Sequence, residues 1–207
     1  MPATVVRDLG VWIDSELSLN QHVTEVANTC FYQLRRLRQI RRRVGPEVTT
    51  RLVLALVIQR LDYCNSVFAG LPDYTMDVLQ RVQNVSARVI HKLKSHDHIS
   101  TYLQQLHWLP VRYRVQYKLC TIMYTIHHGQ APSYLSELVH TVASRSSRSG
   151  LRSASTTNYA VPRLRTKFGE RSFSYAGPAA WNALPHELRS VDSFSAFKKL
   201  LKNISLI

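Results

Sequence analysis

Between residues 18 and 127, apolar side chains recur every three or four positions, and the runs are broken by glycine and proline. That spacing lines one side of an α-helix and fits no strand, whose faces alternate every second residue. Val23, Val26, Cys30, Leu34 and Leu37 make the first stripe. Ahead of it, Ser18 and Gln21 have capping-box spacing, so their hydroxyl and amide are expected to satisfy free N–H groups at the helix start. Gly45-Pro46 ends that helix and opens a second, over about 46–67, whose middle is apolar nearly all round and should be buried on several sides. Gly70-Leu71-Pro72 stops it. A third helix is expected from near Asp73 to Leu93, with Val78, Leu79, Val82, Val85, Val89 and Leu93 inward. Three helices with short turns imply a bundle.

Beyond a loop at 94–98, a short helix capped by Ser100 should run to His107. Another follows over Val111 to His127, with Val115, Leu119, Ile122, Met123 and Ile126 as its stripe. Gly129 closes it, and Pro132 starts a final turn or two through Val139. Residues 144–155 are mostly Ser and Arg, too polar to bury a core, and read as a linker. Tyr159 to Arg165 suits a short strand or extended arm, and Phe173 to Pro185 a loop with buried aromatics. Ser193 should cap a last helix carrying Phe194, Phe197, Leu200 and Leu201 on one face.

At the other end, Val5, Val6, Leu9, Val11 and Ile13 form a β-rich stretch, read as one strand. No convincing second strand follows for over a hundred residues, and a lone strand leaves its backbone groups unpaired. It must pair with a distant segment or another chain, or its sheet lies upstream, which is the favoured reading. The expected fold class is mainly α: a helical bundle with an orphan N-terminal β-strand and a mixed, loop-rich C-terminal segment. The expected segments are a terminal strand at 1–17, a three-helix bundle at 18–94, a second helical layer at 95–140, a Ser/Arg-rich linker at 141–160, and a C-terminal segment with the final helix at 161–207.

Charge narrows the function. Lys and Arg number 27 against 13 Asp and Glu, a formal excess of +14, which favours polyanions through counterion release. An anionic membrane surface is the other partner such an excess suits. The longest apolar run, Leu52 to Ile58, is too short to span a bilayer, and no membrane partner is expected. Cys30, Cys64 and Cys120 are scattered, with no CxxC pair, which suits a reducing compartment. An intracellular location follows, with the nucleus among the candidates.

The sharpest candidate site is a run of arginines. On a helix, Arg35, Arg38 and Arg42 share one side, Arg36 and Arg43 fall further round the polar face, and Arg41 lies back toward the apolar stripe. Guanidinium groups pair bidentately with phosphates; the plainer role is a solvated helix end whose cations offset the macrodipole. A second basic stretch comprises Arg145, Arg148 and Arg152 in the linker, then Arg163, Arg165 and Lys167, interleaved with Tyr159 and Phe168. Such a stretch can stack on bases and follow a strand, or simply tether. His96-Asp97-His98 offers ligand-type side chains but too few for a closed metal site; it reads as a loop capping the following helix. His127-His128 reads as a helix end where positive charge is welcome. Trp108 and Trp181 read as core anchors, and Cys64 beside Asp62 is not activated. No metal site and no catalytic residue is expected.

Several blocks resemble, in order, the late part of a LINE-class non-LTR retrotransposon reverse transcriptase. Arg7-Asp8-Leu9-Gly10-Val11-Trp12-Ile13-Asp14 is similar to that family's late palm strand. Ala55-Leu56-Val57 and Arg60-Leu61-Asp62-Tyr63-Cys64-Asn65 follow, then Ala69-Gly70-Leu71-Pro72, Leu79-Gln80-Arg81-Val82-Gln83-Asn84 and Asp97-His98-Ile99. Leu106-His107-Trp108-Leu109-Pro110-Val111, Gly129-Gln130-Ala131-Pro132-Ser133-Tyr134-Leu135, Arg171-Ser172-Phe173, Gly177-Pro178 and Trp181-Asn182-Ala183-Leu184-Pro185 complete the set. The resemblance implies a palm end, a thumb-like bundle that holds template–primer duplex, and a carboxyl-terminal region contacting element RNA or target DNA.

The family's chemistry needs clustered carboxylates on two metal ions, which it carries in an aromatic-Ala-Asp-Asp motif and an earlier aspartate. Here the seven aspartates (8, 14, 62, 73, 77, 97, 192) are scattered and never adjacent. The expectation is therefore a truncated RNA-directed DNA polymerase fragment, inactive alone and without cofactor, magnesium belonging only to the intact polymerase. Its expected partners are RNA or an RNA–DNA duplex on the basic helix face, with the upstream palm as a further candidate. A helical protein adaptor and a non-functional transposon-derived product are the alternatives.

Overall fold

The computed structural model describes residues 5–145 and 157–204. They are mainly helical, with one small sheet. The chain forms two compact units, Met1–Arg114 and Val115–Ile207, dividing near the start of a helix over Val111–His127.

The first unit opens on a correction. The β-rich stretch is two strands, β1 (Val5–Asp8) and β2 (Val11–Asp14), paired antiparallel from Val5↔Asp14 to Asp8↔Val11. Leu9 and Gly10 turn between them with φ of 44° and 86°, the positive pair that a tight two-residue hairpin requires. The pairing partner is thus at most nine residues away, and the strand needs neither the expected upstream sheet nor a distant segment or second chain to pair with. Across the ribbon, the Arg7 guanidinium lies 5.5 Å from the ring centre of its opposite neighbour Trp12.

The capping box does not form. Helix α1 (Asn20–Val53) has Leu19 at its N-cap with no side-chain cap bond. Asp14 organises the approach instead, its carboxylate accepting from the backbone N–H groups of Glu16 (3.1 Å), Ser18 (2.8 Å) and Leu19 (2.8 Å) and from the Ser18 hydroxyl (3.0 Å). Burial by itself would raise the Asp14 pKa, but these bonds from Ser18, Leu19 and Glu16 together outweigh it and hold it below the ordinary carboxylate value.

Along α1 the stripe is Val23, Ala27, Cys30, Leu34 and Leu37, all buried, with Val26 only half-buried and His22 taken into the core. The break at Gly45-Pro46 is present inside the element: Gly45 has φ 78° and ψ 173°, closed to a residue with a Cβ. Pro46 then begins the next helical stretch, where a missing N–H costs nothing. A π-helical turn (Leu54–Ile58) and a short α2 (Gln59–Asp62) complete it. This second helix therefore ends five residues early, at a left-handed Cys64, and a 3-10 turn (Asn65–Phe68) follows. Nor is it buried all round: Val53, Val57, Ile58 and Leu61 are interior, but Val48 and Leu54 are exposed.

Helix α3 (Asp73–His91) packs along α1, burying Leu79, Val82 and Val89, while Val78, Val85 and Leu93 are half-buried. It also buries three polar residues, Thr75, Gln83 and Ser86. α4 (Ser100–Gln105) starts after Ile99 without a side-chain cap, so Ser100 lies inside the helix rather than capping it. Asp97 closes its own loop, accepting from the Lys94 N–H at 2.7 Å, and does not cap α4.

In the second unit, α5 (Val111–His127) continues with Val115, Leu119, Met123 and Ile126 buried, followed by α6 (Ser133–Ser136) and α7 (Val142–Arg145). Thr141 and Tyr159 form a bridge that pins both ends of the Ser/Arg stretch. After α8 (Lys167–Glu170), the expected loop at 173–185 is instead mostly helix α9 (Phe173–Asn182). Its Gly177 and Pro178 read as breakers, but tertiary packing overrides them. A Cβ on Gly177 would sit 2.9 Å from Met123 Sδ, so glycine is what lets α9 close on α5. α10 (His186–Arg189) and α11 (Phe194–Ile204) finish the unit around Trp181, Tyr124, Met123 and Phe197. On α11, Phe197 and Leu201 are buried, whereas Leu200 is exposed. No helix among the described residues is long and apolar enough to cross a membrane.

Candidate nucleic-acid interface

No acid occurs between Glu25 and Glu47, and six arginines fall at 35–43. Because α1 is continuous there, 3.6 residues per turn fixes where each side chain goes. Arg35, Arg36, Arg38, Arg42 and Arg43 are all exposed, and no acidic side chain pairs with any of them among the described residues. Arg36 rests over the Tyr32 ring at 5.7 Å, which steadies the guanidinium without neutralising it. From Arg35 to Arg43 the row is about 12 Å long, three to four base-pair steps of about 3.4 Å.

Arg41 does something else. Its Nη1 donates to the Val89 carbonyl at 3.1 Å and the Arg88 carbonyl at 3.5 Å, both in the last turn of α3. Arg41 thus places a cation at the end of α3, while Arg42 and Arg43 lie in the last turn before the Gly45 break in α1.

Below this face, side chains that sequence reasoning left unassigned tie the bundle together. Gln83, fully buried, donates from Nε2 to the Leu109 carbonyl at 2.8 Å. Gln80 accepts from the Val111 N–H at 2.9 Å and donates to Gln83 and Asn84. Arg114 donates to Leu109 O through Nε (2.9 Å) and reaches both oxygens of Asp62 through Nη1 (2.7 and 2.6 Å). The segments Arg60–Asn65, Leu79–Asn84 and Leu106–Val111 thus meet through one polar network. A Gln three or four residues from another polar residue on an otherwise apolar helix face was the available signal.

The second basic stretch is less uniform. Arg163 and Arg165 are exposed. Lys167 is also exposed, but its Nζ pairs with Glu170 at 2.9 Å, and that hydrogen bond raises its pKa. Tyr159 is not a stacking platform: it is buried, with its hydroxyl 3.4 Å from His127 Nδ1. Phe168 is the exposed aromatic of the pair. Arg148, Arg152 and the Arg145 side chain lie outside the described residues.

Among the other candidates, Trp108 and Trp181 are buried anchors. Cys30 and Cys120 are thiols rather than thiolates, burial pushing their pKa values up to about 11 and about 12. His127 is driven below the usual histidine pKa by burial first, then by His128 and Arg189, so it meets its helix end as a neutral ring. Asp62, Asp73 and Asp97 are engaged by Arg114, Arg112 and the Lys94 N–H respectively. Among the described residues, no three His, Cys, Asp or Glu side chains gather as a metal site.

Compared with known proteins, this chain matches no family model, no curated protein and no solved structure.

Proposed function

We propose that this chain binds the sugar–phosphate backbone of a nucleic acid, RNA or an RNA–DNA duplex, on the arginine face of α1. The observation that carries the reading is the set of five exposed arginines on a continuous helix, unpaired with any acidic side chain among the described residues. Unneutralised guanidinium groups on a rigid rod suit phosphates at fixed spacing, and displacing condensed counterions supplies the driving force. Arg163 and Arg165 extend the basic surface of the second unit as secondary contacts.

The ordered blocks that resemble LINE-class reverse transcriptases support assigning the bundle a thumb-like role, gripping duplex while nucleotidyl transfer is performed by carboxylates this chain does not carry. Three of those blocks sharing the Gln80–Gln83–Arg114 network supports reading them as one structural unit. The upstream palm of such a polymerase is the proposed protein partner.

Replacing Arg35, Arg38 and Arg42 together by Ala tests this. With an RNA–DNA duplex, the wild-type association constant should fall steeply with salt, and the triple variant should flatten the log–log slope by about 2 to 3. Salt-insensitive binding to a protein, with no duplex binding, would favour the adaptor reading instead. With template, primer, deoxynucleotides and magnesium, no incorporation is expected.

A further inference from the structure

Beside the exposed arginine row, a cavity of about 440 Å³ opens between α1 and the end of α3, lined by Arg38, Arg41, Val85, Arg88, Leu93 and Ser95. Three guanidinium groups from two helices border one hollow, and no carboxylate lines it. The nearest acid along the chain, Asp97, directs its carboxylate to the Lys94 N–H and lies 3.6 Å from His96 Nε2. Two of the three arginines are anchored: Arg41 on the Arg88 and Val89 carbonyls, and Arg88 through Nη2 on the carbonyls of Ser95 and Asp97, both at 3.4 Å. Arg88 Nε is withdrawn from solvent, with no hydrogen-bond partner among the described residues. Arg38 is exposed and is in no hydrogen bond or ion pair among the described residues. The Arg88 carbonyl accepts from Arg41 and from the N–H groups of Lys92 and Leu93.

We propose that this cavity seats a single phosphate oxyanion. Resting on the nucleic-acid reading above, it would hold one phosphate of the bound strand and so set the strand's register on α1, while Arg35, Arg36, Arg42 and Arg43 supply attraction without register. Clustered cations held in place by backbone carbonyls lose little freedom on binding, and forked donors match a tetrahedral oxyanion better than a point charge does.

The test uses the full chain, inorganic phosphate and an RNA–DNA duplex, with binding followed by calorimetry at constant ionic strength. Inorganic phosphate should bind saturably at one equivalent. Arg38→Gln, a surface change, should weaken it at least tenfold, whereas Arg81→Gln, an equal loss of charge elsewhere on the bundle, should change it less than twofold. Arg88→Lys, its folding checked by thermal melting, should also weaken it, because an ammonium cannot reproduce the anchored fork. Saturating phosphate should then weaken duplex binding more than chloride of the same ionic strength does. Phosphate binding that leaves the duplex unaffected would confirm the pocket as a free-phosphate site and overturn its register role. Phosphate binding with no duplex binding at all would sink the proposed function and keep the pocket. Salt-sensitive duplex binding without saturable phosphate binding, or equal losses in Arg38→Gln and Arg81→Gln, would overturn the pocket and leave the proposed function standing.

Discussion

The two units of this protein are held together by different means. In the first, long helices with regular stripes pack around a core that holds the buried amide of Gln83 on Leu109 O, flanked by half-buried Gln80 on the Val111 N–H and the more exposed Arg114–Asp62 pair. In the second, short helices surround an aromatic centre where Trp181, Tyr124 and Phe197 lie with ring centres 4.4 to 6.0 Å apart in the contacting pairs. The first unit depends on directional bonds that fix where its helices cross, and it presents arginines on a rigid rod. The second depends on volume filled by large rings. Directional bonds keep a binding face in register, whereas an aromatic core secures a unit made of short elements.

The largest effect should come from the second unit. Trp181→Ala removes a fully buried ring and should cost about 3–5 kcal/mol, read from denaturant unfolding, with the loss of near-ultraviolet signal concentrated in that unit. If both units melted together and equally, the contrast between them would be mistaken.

In the first unit, Gln83→Leu removes one of the two donors to the Leu109 carbonyl, leaving the Arg114 Nε in place, and should cost about 1 kcal/mol. Asp14→Ala, which frees the four donors gathered before α1, should cost about 1–2 kcal/mol. Asp14 also gives an acid limb to the stability curve. Its folded pKa lies below the ordinary 3.8, so its contribution is complete above that value and disappears as pH falls through the lower folded pKa.

Two histidines should act at milder pH, one in each unit. His22 is buried beside Phe68 with both ring nitrogens unpartnered, and burial lowers its pKa. His127 is lowered likewise. The folded state therefore binds fewer protons than the unfolded one below the ordinary 6.5, and stability should decline as pH falls from 6.5 toward the folded values. His22→Leu should flatten that decline in the first unit and leave the second unit's share. An unchanged pH profile would contradict the buried-neutral account of His22.

The smallest effect on stability should come from the surface arginines. Arg35→Ala or Arg42→Ala should shift unfolding by less than about 0.5 kcal/mol, because both side chains are exposed. A larger loss would mean that these residues support the fold.

The sequence was informative in proportion to how local the forces are. The helices over Asp73–His91 and Val111–His127 and the break at Gly45 follow from apolar periodicity and backbone sterics, which act within a few residues. The hairpin was missed because its turn places Leu9 in the left-handed region, where no Asn-Gly or Asp-Gly pair announced it. Helix α9 was missed because Gly177 answers to Met123, more than fifty residues away. The arginine row was legible because it is contiguous. The cavity beside it was not, since Arg88 joins Arg38 and Arg41 only once α3 lies against α1.

Arginine side-chain Nε–H resonances, followed as an RNA–DNA duplex is added to the full chain, test the α1 face directly. Arg35, Arg38 and Arg42 should shift first and saturate together at one duplex equivalent. Shifts confined to Arg163 and Arg165, or none at low salt, would contradict nucleic-acid docking on α1.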